Sequence, residues 1–252
     1  MKVVAIIQAR MGSSRLPGKV LAEINGKPML EILLTRIGAA TVLDEIVVAI
    51  PSESSDDVLK NWLQEHGVRY FRGSTEDVLG RFYMCALESR ADLIVRVTAD
   101  DPLKDPEIIN HAVRCMLDNP EFDYVSNTLF PTYPEGLDIE VFKFSALEKA
   151  YINASLSSER EHVTPFIWKN LELFKVHNFE SQRNLCEWRW TVDKFEDLLF
   201  IRTIMDSFKD QPLVSYVEII KLLDLNPHLL EINTQKTARN EGYMKSILGD
   251  KK

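Results

Sequence analysis

Short runs of β-branched apolar residues alternate along this chain with longer stretches whose apolar residues recur at helical spacing. That alternation is typical of a mostly parallel sheet flanked by helices, because parallel strands must be joined by a crossover element. The strands it predicts are residues 3–8, 45–50, 68–71, 93–98 and 124–126. The helices it predicts between them are residues 28–40, 56–66, 78–89 and 106–117. The fold class is therefore expected to be α/β.

The rhythm changes after residue 130. The segment PTYPEGLDIEVF predicts a turn and then an extended stretch that leaves the main sheet. The elements expected after it are helices at 145–153 and 158–170, strands at 173–179 and 188–192, and helices beginning at Glu196 and Ser215. We expect one α/β domain over residues 1–225, with 130–180 as the excursion, and a polar, weakly patterned C-terminal tail over 226–252.

The composition limits the possible partners and the cell compartment. The chain has 252 residues and a formal net charge of -8, from 38 Asp and Glu against 30 Lys and Arg. An acidic balance argues against a protein that coats nucleic acid or an anionic membrane, so neither is expected as a partner. The three cysteines form no C-x-x-C pair, no run approaches membrane-spanning length, and Arg10 cuts the first apolar run too early for a signal peptide. A cytoplasmic protein is expected.

The segment after the first strand is dense in cations. Gly12, Ser13 and Ser14 can turn backbone N–H groups toward an anion, and the neighbouring cations are Arg10, Arg15 and Lys19. Ligands of parallel α/β sheets bind beyond the carboxyl ends of the strands, which is where this segment lies. A triphosphate site is therefore predicted, with the side chains of Arg10 and Lys19 exposed. The alternative is a basic surface loop without a ligand.

Two common phosphate-binding motifs do not fit this segment. Gly12 and Gly18 enclose five residues, and Val20 rather than Ser or Thr follows Lys19, so the segment is not a P-loop. The pattern G-x-G-x-x-G is absent, which argues against a dinucleotide-binding dehydrogenase.

The segment QARMGSSRLPGKVL resembles the signature of the sugar-activating cytidylyltransferases, the group of CMP-Kdo and CMP-sialic acid synthetases, and most closely their SpsF branch in spore-coat polysaccharide biosynthesis. Five further segments match in the same order: RGSTEDVLGRF, RVTADDPLKDP, DYVSNTLFPTYPEGLDIEVF, EREHVTPFI and RWTVDKFEDL. The resemblance implies a nucleotide-diphospho-sugar transferase-like fold, also described as GT-A or Rossmann-like. It also implies CTP as substrate, a sugar or sugar acid as acceptor, release of pyrophosphate, and a homodimer formed through the excursion.

The resemblance assigns a magnesium site to two carboxylates. Asp100 in ADDP matches the metal ligand of CMP-Kdo synthetases, and Asp193 matches a second ligand where the family usually has D-T-P-E-D. Here Lys194 and Phe195 replace Thr-Pro. Carboxylate oxygens suit Mg²⁺ held against phosphates, although an Asp-Pro pair after a strand also occurs as a simple turn.

The remaining site residues follow from the same matches. The resemblance implies that Arg10, Arg15 and Lys19 are catalytic through charge compensation. The implied nucleotide-binding residues are Gln8, Ala9, Gly12, Ser13, Arg72, Ser74, Asp77, Arg81, Arg96 and Thr98. The implied sugar-binding residues are Tyr133, Asp138, Glu140, Arg160 and His162. Ser74 and Asp77 are equally suited to begin a helix, and a histidine in EREH also suits a solvated helix face.

Two other functions stay open at this point. A glycosyltransferase of the related fold would use Asp100 and Asp101 to hold a metal and would consume a sugar nucleotide, but it does not explain the cations of the first loop. A non-catalytic nucleotide-binding relative would keep the fold without turnover. Pyrophosphate release separates the predicted activity from both.

Overall fold

The computed structural model describes residues 1–233, 239 and 241–250. Its strands are β1 Val3–Gln8, β2 Glu23–Ile24, β3 Lys27–Pro28, β4 Glu45–Pro51, β5 Tyr70–Gly73, β6 Leu93–Thr98, β7 Tyr124–Ser126, β8 Glu140–Lys143 and β9 Val176–Asn178. Its α-helices are α1 Met29–Ile37, α2 Asp57–Glu65, α3 Val78–Glu88, α4 Pro106–Asp118, α5 Phe144–Asn153, α6 Ser157–His162, α7 Pro165–Lys169, α8 Phe195–Ser207, α9 Tyr216–Leu225 and α10 Glu241–Asp250. No helix within these ranges is long and apolar enough to cross a bilayer.

Seven strands form one mixed, mostly parallel sheet in the order β5-β4-β1-β6-β8-β7-β9. Strand β1 pairs in parallel with β4 and β6, while β8 runs antiparallel to both β6 and β7. The prediction that the extended part of PTYPEGLDIEVF leaves the main sheet is wrong, because it forms β8 between β6 and β7. Strands β2 and β3 form a separate two-stranded hairpin. The carboxyl ends of β1 and β6 therefore lie side by side, with Gln8 opposite Thr98.

Strand β1 divides the hydrophobic core into two layers. Its residues Val3, Ala5 and Ile7 face a cluster built with α1, α2, α4, α8 and α9. Its residues Val4 and Ile6 face a second cluster built with α3 and α5. Because successive strand residues point to opposite faces, a strand buried on both sides reads as the continuous apolar run seen in the sequence.

The five strands and four helices predicted in the first half of the chain are present, with end points that shift by at most a few residues. The single helix predicted over 158–170 is wrong, because the chain breaks between α6 and α7. Val163 adopts φ 72, and Pro165 cannot supply an N–H to continue the ladder of α6.

The strand predicted over 188–192 is also wrong. Among the described residues, this segment makes only an isolated bridge to Glu135. Its N–H groups donate to carbonyls in two different loops. The N–H of Trp190 donates to the Glu135 carbonyl at 2.7 Å, whereas that of Val192 donates to the Asp100 carbonyl at 2.8 Å. Gly136 (φ +108) makes this contact possible, since a Cβ there would lie 2.7 Å from the Trp190 carbonyl carbon.

Candidate active site

A cavity of about 570 Å³ opens beyond the carboxyl ends of β1 and β6. Fourteen of the residues predicted for the site line it: Gln8, Ala9, Arg10, Gly12, Ser13, Arg15, Lys19, Arg96, Thr98, Asp100, Asp138, Glu140, His162 and Asp193. The cavity is therefore formed by the loop after β1, the loop after β6, the excursion, and the segment that precedes α8.

The loop after β1 is shaped by its own backbone. Gly18 has φ 72 and its N–H donates to the Met11 carbonyl at 3.0 Å, which closes the loop on itself. The N–H of Met11 donates to Asp56 Oδ1 at 2.6 Å and ties the loop to the start of α2. Gly12 has nothing within 4 Å of the position its Cβ would take, so an anion can approach the backbone there.

Lys19 lies between the two predicted metal ligands. Its Nζ is 2.9 Å from Asp100 Oδ2 and 3.0 Å from Asp193 Oδ1, and it donates to the Val192 carbonyl at 2.7 Å. Lys19 is only 9% exposed, so the prediction that its side chain is exposed is wrong. Burial alone would lower the pKa of Lys19, but Asp100 and Asp193 raise it above its usual value. Burial would likewise raise the pKa of Asp100, yet Lys19 lowers it to about 2.

The position of Lys19 also tests whether these residues suit a divalent cation. Asp100 and Asp193 approach one point from two different segments, which is what a shared cation requires. Mg²⁺ is commonly held by one or two carboxylates together with substrate phosphates. The donor set fits such an ion, provided that Lys19 moves toward the phosphates when they bind.

Arg189 anchors Asp193 and was not assigned a role from the sequence. Its guanidinium contacts Asp193 Oδ2 at 2.7 Å, Glu135 Oε2 at 2.6 Å and Asp197 Oδ1 at 3.1 Å. Burial would lower the pKa of Arg189, but the three carboxylates raise it. Asp197 also accepts from the N–H groups of Asp193 and Lys194, so this carboxylate in the first turn of α8 fixes the loop in which Lys194 and Phe195 replace the family's Thr-Pro.

The loop after β6 holds a second ion pair that closes its turn. Lys104 is 1% exposed and its Nζ lies 2.9 Å from Asp101 Oδ2. The Thr98 hydroxyl donates to the same oxygen at 2.8 Å. Asp101 is therefore committed to the loop itself, whereas Asp100 points to Lys19.

The wall of the cavity beside α6 and α7 carries a buried carboxylate. Glu140 accepts from Arg96 Nη1, from the Tyr124 hydroxyl at 2.7 Å and from the Thr164 hydroxyl at 2.5 Å. Burial would raise the pKa of Glu140, but Arg96 and the two hydroxyls lower it. The cation inside β6 is thus paired and also faces the cavity.

His162, Trp168 and Tyr243 complete this wall. Burial, followed by the charge of Arg96, lowers the pKa of His162 to about 4, so the imidazole is neutral at pH 7. Its ring meets that of Tyr243 edge-on, with centroids 5.1 Å apart, and Tyr243 packs in the same way on Trp168 at 5.7 Å. A neutral imidazole with aromatic neighbours suits contact with an uncharged, hydroxylated group.

The cavity belongs to a fold and a sequence family that known proteins share. A sequence model of the family described as cytidylyltransferase matches residues 4–239 of the chain. The spore coat polysaccharide biosynthesis protein SpsF of Bacillus subtilis is 33% identical over 236 residues, which cover 89% of this chain and 95% of that protein. The chain belongs to the cytidylyltransferase family.

Solved structures agree with this assignment. A cytidylyltransferase from Leptospira borgpetersenii superposes with a TM-score of 0.88 at 33% identity, covering 94% of this chain and 99% of that one. A CMP:2-keto-3-deoxy-manno-octonic acid synthetase complexed with CTP shares the fold, with a TM-score of 0.65 at 21% identity over 82% of this chain and 99% of that one. The predicted α/β, nucleotide-diphospho-sugar transferase-like fold is confirmed.

Six residues predicted for the site do not line the main cavity of this cytidylyltransferase: Arg72, Ser74, Asp77, Arg81, Tyr133 and Arg160. Asp77 caps α3 by accepting from the Gly80 N–H at 2.9 Å, and Arg160 forms a two-point ion pair with it. Arg72 contacts Asp57 at 2.7 Å. Their roles in binding stay predictions, and each has a structural partner that accounts for it.

Arg81 and Tyr133 are buried away from the cavity. Arg81 is 2% exposed, and burial, with the nearby charge of Arg10, lowers its pKa to about 10. Its guanidinium donates to the Ser74 carbonyl, which stabilises the chain at the start of α3. Tyr133 packs edge-on against Phe179, with ring centroids 5.9 Å apart.

The C-terminal segment of this cytidylyltransferase reaches the cavity, which the sequence did not predict. Glu241 and Tyr243 line the cavity, and Arg239 pairs with Asp138. The tail predicted over 226–252 lies partly outside the described residues, at 234–238, 240, 251 and 252. Its weak helical pattern gave no signal for these contacts, because a short helix that buries none of its residues needs no apolar stripe.

Proposed function

We propose that this protein transfers the cytidylyl group of CTP to a hydroxyl of a sugar and releases pyrophosphate. The acceptor oxygen forms a bond to the α-phosphorus, the bond from that phosphorus to the bridging oxygen breaks, pyrophosphate leaves with that oxygen, and the hydroxyl proton passes to the solvent. The observation that carries the proposal is the convergence of Arg10, Arg15 and Lys19 with Asp100 and Asp193 in one cavity. Membership of the cytidylyltransferase family supports it.

The loop cations would bind and orient the triphosphate. Nucleotidyl transfer gains mostly from positioning and from charges that compensate those developing on the phosphates. Arg10 is exposed at the cavity and has no ion pair within the described residues, so it is available to a phosphate. Lys19 would exchange its two carboxylate partners for phosphate oxygens.

Asp100 and Asp193 are the residues that would hold a magnesium ion. When bound, the ion would neutralise phosphate charge and fix the orientation of the triphosphate. Arg189 would keep Asp193 oriented toward Asp100 whether or not the ion is present, since it contacts the oxygen that Lys19 does not.

The finer assignments are also proposals. A sugar acid is the first acceptor class to test, because the resemblance implies it, and surface or spore-coat polysaccharide synthesis would use the product. The similarity to SpsF of Bacillus subtilis, a spore coat polysaccharide biosynthesis protein, supports that use. The free thiols of Cys85, Cys115 and Cys186 are consistent with a protein that works in the cytoplasm.

Charge-removing variants test the carboxylate pair. We expect Asp100→Asn and Asp193→Asn each to lower turnover with CTP at least about 100-fold, a loss of a few kcal/mol in the transition state. Higher Mg²⁺ or added Mn²⁺ should restore part of the activity. The matched control is Asp206→Asn, an exposed carboxylate on α8, which should keep wild-type rates. Normal turnover of both site variants at limiting Mg²⁺ would remove the proposed metal site.

A further inference from the structure

An ion pair across the cavity ties helix α10 to the loop after β1. Glu241 Oε2 lies 2.8 Å from Arg15 Nη1. The other terminal nitrogen of Arg15 contacts Asp193 Oδ1 at 2.9 Å. Both ends of this guanidinium are therefore held by carboxylates in a loop that is proposed to bind phosphate. A phosphate can reach Arg15 at full strength only by displacing at least one of them.

The packing of α10 on α6 is polar and incompletely satisfied. Four buried side-chain atoms of these two helices have no hydrogen-bond partner in the described part of the chain: Ser158 Oγ, His162 Nε2, Tyr243 Oη and Asp250 Oδ2. Helix α10 buries none of its residues, and the Ser158 N–H to Asp250 Oδ1 bond of 3.0 Å joins its far end to α6. Buried polar groups without partners oppose the packing that buries them, so they offset part of the stabilisation from the aromatic contact between His162 and Tyr243.

We propose that Glu241 competes with the triphosphate of CTP for Arg15, so that CTP binding releases α10, with Tyr243, from α6 and uncovers His162 and Trp168 on the wall of the cavity. Glu241 is then a positioning residue that acts through Arg15. The inference rests on the proposed function, because the displacing anion is the triphosphate of the nucleotide.

The charges decide the direction of this exchange. A triphosphate brings several negative charges to Arg15, whereas Glu241 brings one, and the planar guanidinium pairs with phosphate oxygens at two points. Glu241 also keeps a second partner on its own helix, since its Oε1 lies 2.8 Å from Lys245 Nζ. When the triphosphate takes Arg15, Glu241 therefore stays paired with Lys245, but α10 loses its contact with the loop after β1. Binding of the nucleotide and release of the helix are coupled, and the coupling acts equally in both directions.

Calorimetric titration with CTP and with CMP tests the competition. Glu241→Gln removes the charge that competes for Arg15, so its Kd for CTP should fall about fivefold relative to the wild type. The Kd for CMP, which lacks the β- and γ-phosphates, should stay within twofold. Lys245→Ala is the matched control, because it breaks the ion pair on the other oxygen of Glu241 and leaves Arg15 untouched. Its Kd for CTP should remain that of the wild type.

Amide hydrogen exchange over residues 241–250 follows the helix directly. Saturating CTP should increase exchange there at least tenfold in the wild type, and Glu241→Gln should show fast exchange without nucleotide. An unchanged Kd for CTP in Glu241→Gln, or the same change in Lys245→Ala, would overturn the inference and leave CTP binding intact.

A wild-type protein that does not bind CTP would instead contradict the proposed function. In that case, the addition of inorganic tripolyphosphate tests the competition for Arg15 without a nucleotide. Faster exchange of residues 241–250 on its addition supports the competition for Arg15, and unchanged exchange rejects it.

Discussion

Lys19 joins three distant parts of the chain through one ammonium group. It lies in the loop after β1, and it contacts Asp100 after β6 and Asp193 before α8. Sequence reasoning found its charge, because three cations in a short loop of an acidic protein are conspicuous. Its burial could not be predicted in that way. Its two carboxylate partners lie 81 and 174 positions further along the chain, so the ion pairs leave no local pattern in the sequence.

Substitutions at Lys19 and at Arg10 should therefore differ in their effect on the stability of the protein, although both residues line the site. Lys19→Met should lower the free energy of unfolding by about 2–3 kcal/mol, because Asp100 and Asp193 lose the cation between them. Arg10→Ala, at an exposed position, should change it by no more than about 0.5 kcal/mol. Both variants should lose about 100-fold or more in turnover with CTP. Urea unfolding and steady-state kinetics on the same samples measure this, and equal stability of the two variants would contradict the buried ion pairs.

At the scale of elements, the sequence predicted best where a segment is apolar and continuous. Strands β1 and β6 have the predicted end points, because both are buried on two faces and are bounded by polar loops. The failures lie where side-chain contacts replace regular pairing. Residues 188–192 bridge two loops, and α6 ends at His162, just before Val163 with its positive φ, although the helical pattern of the sequence continues.

The site divides in the same way. The loop after β1 and the carboxylate after β6 were predicted because each follows a recognisable strand. Arg189, Lys104 and Glu241 were missed because their roles depend on partners that only the folded chain brings near. Arg160, which the resemblance assigns to the sugar, pairs with Asp77 in the structure, and its role in sugar binding stays a prediction.

His162, at the end of helix α6, makes the stability of the protein depend on pH. The folded-state pKa of about 4 lies below the ordinary histidine pKa of 6.5, so the stabilisation is complete above pH 6.5 and is lost as the pH falls toward 4. The free energy of unfolding should drop by about 3 kcal/mol across this window from His162 alone. Denaturant unfolding between pH 7 and pH 4 measures the drop.

His162→Gln should flatten that part of the profile. Identical slopes in the wild type and in His162→Gln would show that the imidazole is not held neutral by its surroundings.

At the scale of the whole molecule, we propose that two copies pair through the excursion over residues 130–180. The resemblance implies such a homodimer, and Phe130 at 69% exposure offers an apolar side chain there. Light scattering at micromolar concentration should give twice the chain mass of 29.0 kDa. Phe130→Asp should shift the mass toward that of one chain, and a monomeric wild type would reject the proposal.

Pyrophosphate release tests the proposed activity directly when it is measured with each of the four ribonucleoside triphosphates, in Mg²⁺, across a panel of sugars and sugar acids. A cytidylyltransferase of the proposed kind should release pyrophosphate with CTP, only when a suitable sugar is present, in an amount equal to the cytidylylated sugar formed. Asp100→Asn should abolish the signal at the same protein concentration. An equal or larger signal with UTP, GTP or ATP, or no pyrophosphate from CTP with any acceptor, would contradict the account.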